Sequence, residues 1–158
     1  MRICLFPGTF DPITLGHTDV IGRGLDLFDR IVIGIGTNSS KTPMFTLEER
    51  TAWIREVYKN DPRVEVSAYQ GLTIDFCKKI DARFILRGIR YVSDFEYEKA
   101  IADVNRTIAP EIETIFLTCI PQYSSIASTL VRDIYKYGGD VKPFLPEAVL
   151  EGIKKHKL

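Results

Sequence analysis

Ten residues near the start of the chain, Gly8-Thr9-Phe10-Asp11-Pro12-Ile13-Thr14-Leu15-Gly16-His17, hold the parts of a phosphate-binding turn. They follow an apolar run from Ile3 to Phe6 and lead into an amphipathic segment from Thr18 to Phe28, so a strand passes into a helix through a Gly/Thr loop. At such a junction, free backbone N–H groups and the positive end of the helix dipole converge and hold an anion without a side-chain counter-charge. Gly8 allows close approach of the backbone, Thr9 offers a hydroxyl, and Gly16 clears space. His17, one of 2 histidines in the chain, sits in the first helical turn facing the anion. A histidine so placed either caps the helix or donates to the bound phosphate, and the residues alone leave both open. Lys41, Arg87 and Arg90 join His17 as a local concentration of cationic or donating groups in a chain whose 21 Lys and Arg balance 21 Asp and Glu. A polyphosphate accounts for that better than a single carboxylate.

The rest of the composition narrows the setting. With 158 residues and 45% hydrophobic content, the chain suits one domain over residues 1–158 with a full core, and no Pro/Gly/Ser-rich run marks a linker. Zero net charge argues against nucleic acid or an acidic membrane as a partner. The N-terminal MRICLF reaches polar residues too soon for a signal peptide, and no apolar run approaches the roughly 20 residues of a membrane span. A cytoplasmic protein is expected. Cys4, Cys77 and Cys119 are odd in number and lack CxxC spacing, and each lies in an apolar stretch that reads as core, so reduced thiols with no disulfide and no metal site are expected.

The elements that must position these residues alternate. Short apolar runs bounded by turn signals, near Arg2–Phe6, Arg30–Ile35, Val64–Ser67, Phe84–Leu86 and Thr114–Thr118, alternate with segments of helical period. That is the pattern of an α/β fold, a doubly wound five-stranded parallel sheet covered on both faces. Thr46-x-x-Glu49 and Ser93-x-x-Glu96 have the form of capping boxes that start two helices. The first helix carries Leu47, Trp53, Ile54 and Val57 on one side, and the second carries Phe95, Ile101, Val104 and Ile108. Gly138-Gly139 ends a helix over Leu130–Tyr137, and Pro146 opens a last one. Ligands of such sheets bind at the carboxyl ends of the strands, where the strand order reverses. The segments following the five strands (Gly8 to His17, Thr37 to Lys41, Gly71 to Thr73, Arg87 to Arg90, Pro121 to Ser128) are therefore expected to meet at one rim.

The loop GTFDPITLGH resembles the TxGH variant of the HxGH signature of the nucleotidylyltransferase superfamily, and within it the phosphopantetheine adenylyltransferase family. Lys41 to Arg50, Leu86 to Arg90, Asp94 to Glu98 and Ser124 to Val131 are similar to further blocks of that family, in the same order, so the resemblance covers essentially the whole chain. It implies transfer of the adenylyl group of ATP to 4′-phosphopantetheine, with release of pyrophosphate, by direct in-line attack. When the nucleophile is itself an ionised phosphate, neither a general base nor a covalent intermediate is needed. Mg²⁺, brought with ATP, would balance the triphosphate charge. A homohexamer is also implied.

The resemblance assigns roles residue by residue. His17 would donate to the α-phosphate in the transition state, with Lys41 and Arg90 completing the catalytic set. Thr9, Lys41, Thr73 and Arg87 would hold the acceptor. ATP would lie against Gly8, Thr9, Phe10, His17, Gly88, Ile89, Arg90, Glu98 and the segment Tyr123, Ser124, Ser125, Ile126, Ala127, Ser128 and Thr129, with Glu98 at the ribose. Hydroxyls and N–H groups of that last segment would take the β- and γ-phosphates. Tyr97, Ile101, Val104 and Asn105 would line the pantetheine arm. Two positions depart from the family: Ala127 replaces a serine common there, and Gly71 leaves only the Leu72 and Thr73 backbone for the arm's amides. The alternatives are an adenylyl- or cytidylyltransferase for another phosphorylated acceptor, and a catalytically silent nucleotide-binding module.

Overall fold

The computed structural model describes residues 1–38, 40 and 42–156. Five parallel strands, β1 (Ile3–Gly8), β2 (Arg30–Gly36), β3 (Val64–Tyr69), β4 (Phe84–Ile89) and β5 (Glu113–Thr118), form one sheet in the order β3-β2-β1-β4-β5. The order reverses between β1 and β4. Helices α1 (Leu15–Gly24), α2 (Leu47–Val57), α3 (Thr73–Lys79), α4 (Val92–Ile108), α5 (Ser128–Lys136) and α6 (Glu147–Lys155) connect and cover the strands.

The inner strands β1, β2 and β4 carry buried apolar residues on both faces, whereas the edge strands β3 and β5 are only partly buried. Cys4 and Phe6 of β1, Ile31, Ile33 and Ile35 of β2, and Leu86 of β4 share a core with Val20, Ile54, Val131 and Val149 from the helices. The alternate positions Ile3, Leu5, Val32 and Ile85 turn to the other face, against Ile74, Phe76 and Cys77 of α3.

One feature of the register creates the site. The β1–β2 ladder runs from Ile3↔Arg30 to Gly8↔Ile35, whereas β1 meets β4 only at Cys4↔Phe84 and Leu5↔Ile85. Beyond Leu5 and Ile85 the two central strands part, and a crevice opens at their carboxyl ends, where the strand order reverses.

Several boundaries differ from the sequence expectation. Strand β4 extends to Ile89, so Arg87 and Gly88 stand on a strand and not in a loop. Helix α1 starts three residues before Thr18, because Thr14 caps it, and ends at Gly24. The Thr46 box forms as expected: the Thr46 hydroxyl accepts from the Glu49 N–H (3.1 Å), and the Glu49 carboxylate accepts from the Thr46 N–H (2.8 Å). The Ser93 box does not form. Asp94 occupies the third helical position, and its carboxylate accepts from the N–H groups of Arg90 (3.0 Å) and Tyr91 (3.4 Å), which starts α4 at Val92. Helix α5 likewise begins at Ser128, two residues early. Cys4 and Cys77 are buried free thiols, but Cys119 is only half-buried and borders the crevice.

Candidate active site

Two cavities meet in the crevice. The larger, about 660 Å³, lies on the α1 and α5 side; the smaller, about 460 Å³, lies between β3 and α4. Pro7, Gly8, Thr9, Arg87, Tyr97 and Glu98 border both, so the cavities share a seam across the ends of β1 and β4.

The Gly8–His17 loop forms the floor of the larger cavity. A Cβ on Gly8 would stand 2.9 Å from the Phe10 ring, so glycine is required here for the packing of Phe10. Phe10 itself has φ +48°, a left-handed conformation that costs a non-glycine residue of order 1 kcal/mol or more and collects at ligand-binding loops. The loop ends in a reciprocal cap. The Thr14 N–H donates to His17 Nδ1 (3.0 Å), and the His17 N–H donates to the Thr14 hydroxyl (3.4 Å). The capping reading of His17 is therefore met by one ring nitrogen, and the other makes no hydrogen bond to the described residues. With Nδ1 accepting, the ring proton stays on Nε2. The Phe6 and Phe10 rings pack edge-on against the imidazole, with centroids at 6.3 and 5.2 Å. Burial among them, and then the charges of Arg87 and Arg90, pull its pKa from 6.5 down to about 4. Of the cationic or donating groups expected from the sequence, His17 is thus a neutral N–H donor at neutral pH.

The two arginines of β4 are already partnered. Arg87 binds Glu98 through two bonds, Nε to Oε2 (2.8 Å) and Nη2 to Oε1 (2.6 Å), and Nη1 donates to the Pro7 carbonyl, bridging the gap between the parted strands. Arg90 binds Asp94 through Nε (3.0 Å) and Nη2 (3.3 Å) and reaches the Ile126 carbonyl with Nη1 (3.5 Å). Arg90 and its own backbone N–H hold the Asp94 carboxyl below the usual carboxylate range, against the opposing effect of its burial. Each arginine is therefore aimed by a carboxylate on α4 and keeps further N–H donors for an anion.

The α5 end of the cavity differs from expectation in its chemistry. Ala127 is the N-cap of α5, and no side chain caps that helix. The Ser128 hydroxyl donates to the Pro12 carbonyl (2.8 Å) and the Ser124 hydroxyl to the Ile120 carbonyl (3.1 Å), so both are engaged within the protein. What this end offers an anion is the backbone N–H groups of the first turn. Tyr123, Ile126, Ala127, Ser128 and Thr129 border the cavity; Ser124 and Ser125 do not, nor does Ile89, which is buried.

In the smaller cavity Thr73, Tyr97, Ile101 and Asn105 are brought together as expected, while Val104 points away, 58% exposed. The Thr73 hydroxyl is 2.9 Å from that of Tyr69. Asn38 also borders this cavity, and its amide holds both the N–H (3.0 Å) and the carbonyl of Gly71, whose φ of +93° suits glycine. Lys41 lies outside the described residues.

Two residues bordering the larger cavity, Asp11 and Arg132, and one behind it, Arg50, were not singled out from the sequence. Asp11 is buried, and its carboxylate accepts from the N–H groups of Met44 and Phe45, both at 2.9 Å. Arg132 donates to the Asp11 carbonyl (2.7 Å) and lies 3.6 Å from its carboxylate. Arg50, also buried, donates to the Thr9 carbonyl (2.7 Å). Only Arg132 could have been marked, because it ends the Ser-Thr-x-x-Arg stretch from Ser128.

Residues 5–134 match the cytidylyltransferase-like family. A phosphopantetheine adenylyltransferase from Flavobacterium psychrophilum is 54% identical over 149 residues, which cover 94% of this chain and 98% of that one. Another from Lachnoclostridium phytofermentans is 48% identical, covering 97% and 94%, and a third from Alkaliphilus metalliredigens is 44% identical, covering 98% and 99%. The chain belongs to the phosphopantetheine adenylyltransferase family. A solved structure, a bifunctional NMN adenylyltransferase/ADP ribose pyrophosphatase from Francisella tularensis, superposes with a TM-score of 0.70 at 19% identity, covering 91% of this chain and 44% of that chain. At that identity the likeness is one of fold. The family resemblance of the sequence is thus borne out by relatives that match along nearly the whole chain.

Proposed function

We infer that this enzyme transfers the adenylyl group of ATP to 4′-phosphopantetheine, giving dephospho-coenzyme A and pyrophosphate. The observation that carries the reading is the pair of cavities joined at Gly8, Thr9 and Arg87, with a neutral, N–H-bearing His17 on the larger side. ATP occupies the larger cavity with its triphosphate toward the α5 N-terminus, and the pantetheine arm occupies the smaller one along Thr73, Tyr97 and Asn105. The acceptor phosphate then lies at the seam, gripped by Thr9, Lys41 and Arg87. One of its oxygens attacks the α-phosphorus in line, a new phosphorus–oxygen bond forms, and the bond to the β-phosphate oxygen breaks. His17 Nε2–H and Arg90 stabilise the charge that gathers on the α-phosphate oxygens.

ATP enters as its Mg²⁺ complex. Asp11, Asp94 and Glu98, the carboxylates bordering the larger cavity, each lie within 4 Å of an arginine guanidinium, so the triphosphate supplies most of the ion's ligands. No described helix is long and apolar enough to cross a membrane, and a cytoplasmic enzyme fits that. The apolar stripe of α4, with Phe95, Ile101, Val104 and Ile108 all exposed, supports the homohexamer implied by the resemblance.

A pyrophosphate-release assay with MgATP and a panel of acceptors tests the reading. 4′-Phosphopantetheine should be turned over, and plain pantetheine, which lacks the attacking dianion, should not. Preference for nicotinamide mononucleotide would move the chain to another acceptor class, and binding of ATP without any turnover would make it a silent module. Lys41→Ala should weaken acceptor binding and rate together, and unchanged acceptor affinity by calorimetry would remove Lys41 from the site.

A further inference from the structure

Arg50 is 4% exposed, and no carboxylate among the described residues lies within ion-pairing distance of it. Burial works against its charge and the nearby Asp11 works for it. A buried guanidinium spent on neutral acceptors is costly unless those acceptors must be held. Here Nη1 donates to the Thr9 carbonyl (2.7 Å) and Nε to the carbonyls of Phe45 (3.0 Å) and Thr46 (3.3 Å). One rigid fork therefore ties the phosphate loop to the start of α2, 41 residues away in sequence. Asp11 completes the clasp from the other side by accepting from the N–H groups of Met44 and Phe45.

The consequence falls on one peptide unit. The Thr9–Phe10 bond is trans, so its N–H points opposite to its carbonyl. With the carbonyl held by Arg50, the Phe10 N–H is turned away from Arg50; Phe10 borders the larger cavity, and its N–H donates to no protein atom among the described residues. Phe10 holds φ +48°, a conformation that a loop free to relax would leave.

We propose that Arg50 is a positioning residue for adenylyl transfer: it pins the Thr9 carbonyl so that the Phe10 N–H stays aimed at the polyphosphate, and it couples the phosphate loop to the N-terminus of α2. Arg50 touches no substrate. The inference rests on the adenylyl-transfer reading and adds to it a residue behind the site.

The test compares Arg50→Lys, which keeps the charge but reaches only one carbonyl, with Arg50→Gln, which loses the charge, and with Arg55→Gln, an exposed change on the same helix. Rates are measured well below each variant's unfolding temperature and expressed per folded molecule. Arg50→Gln should lower kcat by about 10²-fold and Arg50→Lys by about 10-fold, the scale of a misaimed transition-state donor, with KM for ATP within a few-fold. Arg55→Gln should match the unaltered enzyme. A kcat within two-fold of the unaltered enzyme for both Arg50 variants would overturn the proposal, leaving Arg50 a purely structural residue. A second measurement needs no variant: on addition of MgATP to the unaltered enzyme, the Phe10 amide proton should move downfield in an ¹⁵N-resolved spectrum, and an unmoved resonance would overturn the proposal. If the unaltered enzyme itself releases no pyrophosphate with 4′-phosphopantetheine, the functional reading fails instead, which is a distinguishable outcome.

Discussion

Helices α1 and α4 flank the same crevice and read alike in sequence, yet they spend their apolar residues differently. Val20 and Ile21 of α1 are buried to 1% and 0% exposure between β4 and the core, and α1 presents His17 from a capped first turn. No residue of α4 is buried: Ile101, Val104 and Ile108 keep 39%, 58% and 55% of their surface exposed. The difference shows that a helical apolar stripe announces a face to be covered without saying what covers it. For α1 the cover is the subunit's own sheet. For α4 only Phe95 has a firm aromatic contact, edge-on to Phe116 of β5 at 5.6 Å; Ile101 borders the smaller cavity, and Val104 and Ile108 are left exposed, where the proposed hexamer would cover them.

The comparison is sharpest at its core end. Ile21→Ala, which would leave a cavity between α1 and the sheet, should cost about 2–5 kcal/mol by urea unfolding. A cost below about 1 kcal/mol would mean that α1 is not fixed by the core. His17→Ala should lower kcat by about 10²-fold with ATP affinity changed only a few-fold, as expected of a donor that acts in the transition state. Equal losses in affinity and rate would leave His17 a simple ligand contact.

The protonation of His17 provides a third test. In the empty protein its ring should titrate near 4 by NMR, against 6.5 in the unfolded chain. The unfolded state then binds more protons than the folded one between those values, so this contribution to stability is complete above pH 6.5 and is lost as the pH falls toward 4. Titration near 6.5 would mean that the folded crevice does not hold the ring neutral below its ordinary range. Smallest is the effect expected on α4: Ile108→Ala should change subunit stability by no more than about 0.5 kcal/mol at concentrations where the assembly has dissociated. In sedimentation the same variant should show weakened association. A loss comparable to that of Ile21→Ala in the isolated subunit would show that α4 is packed against its own core.

The sequence alone determined what depends on neighbours along the chain. The alternation of apolar runs and helical segments follows from the periods of strand and helix, and the cap at Thr46 follows from a hydroxyl and a carboxylate three residues apart. The strand-loop-helix passage through Gly8, Thr9, Phe10 and His17 was legible for the same reason, as was the gathering of five parallel strand ends at one rim. Tertiary structure alone decided everything whose partner lies far away in sequence. Arg50 meets Thr9 across 41 positions, Asp11 meets Phe45 across 34, and Arg132 meets Asp11 across 121, and no spacing rule reaches so far. The neutrality of His17 depends on the Phe6 and Phe10 rings and two arginines that only the folded crevice brings near. Likewise Asp94 displaced Ser93 at the start of α4 because its carboxylate also had Arg90 to bind, and the Ser124 and Ser128 hydroxyls turned to carbonyls that the fold placed beside them. Local hydrogen bonds and periodicity are properties of a segment, whereas burial, charge state and the choice among competing partners are properties of the packed whole.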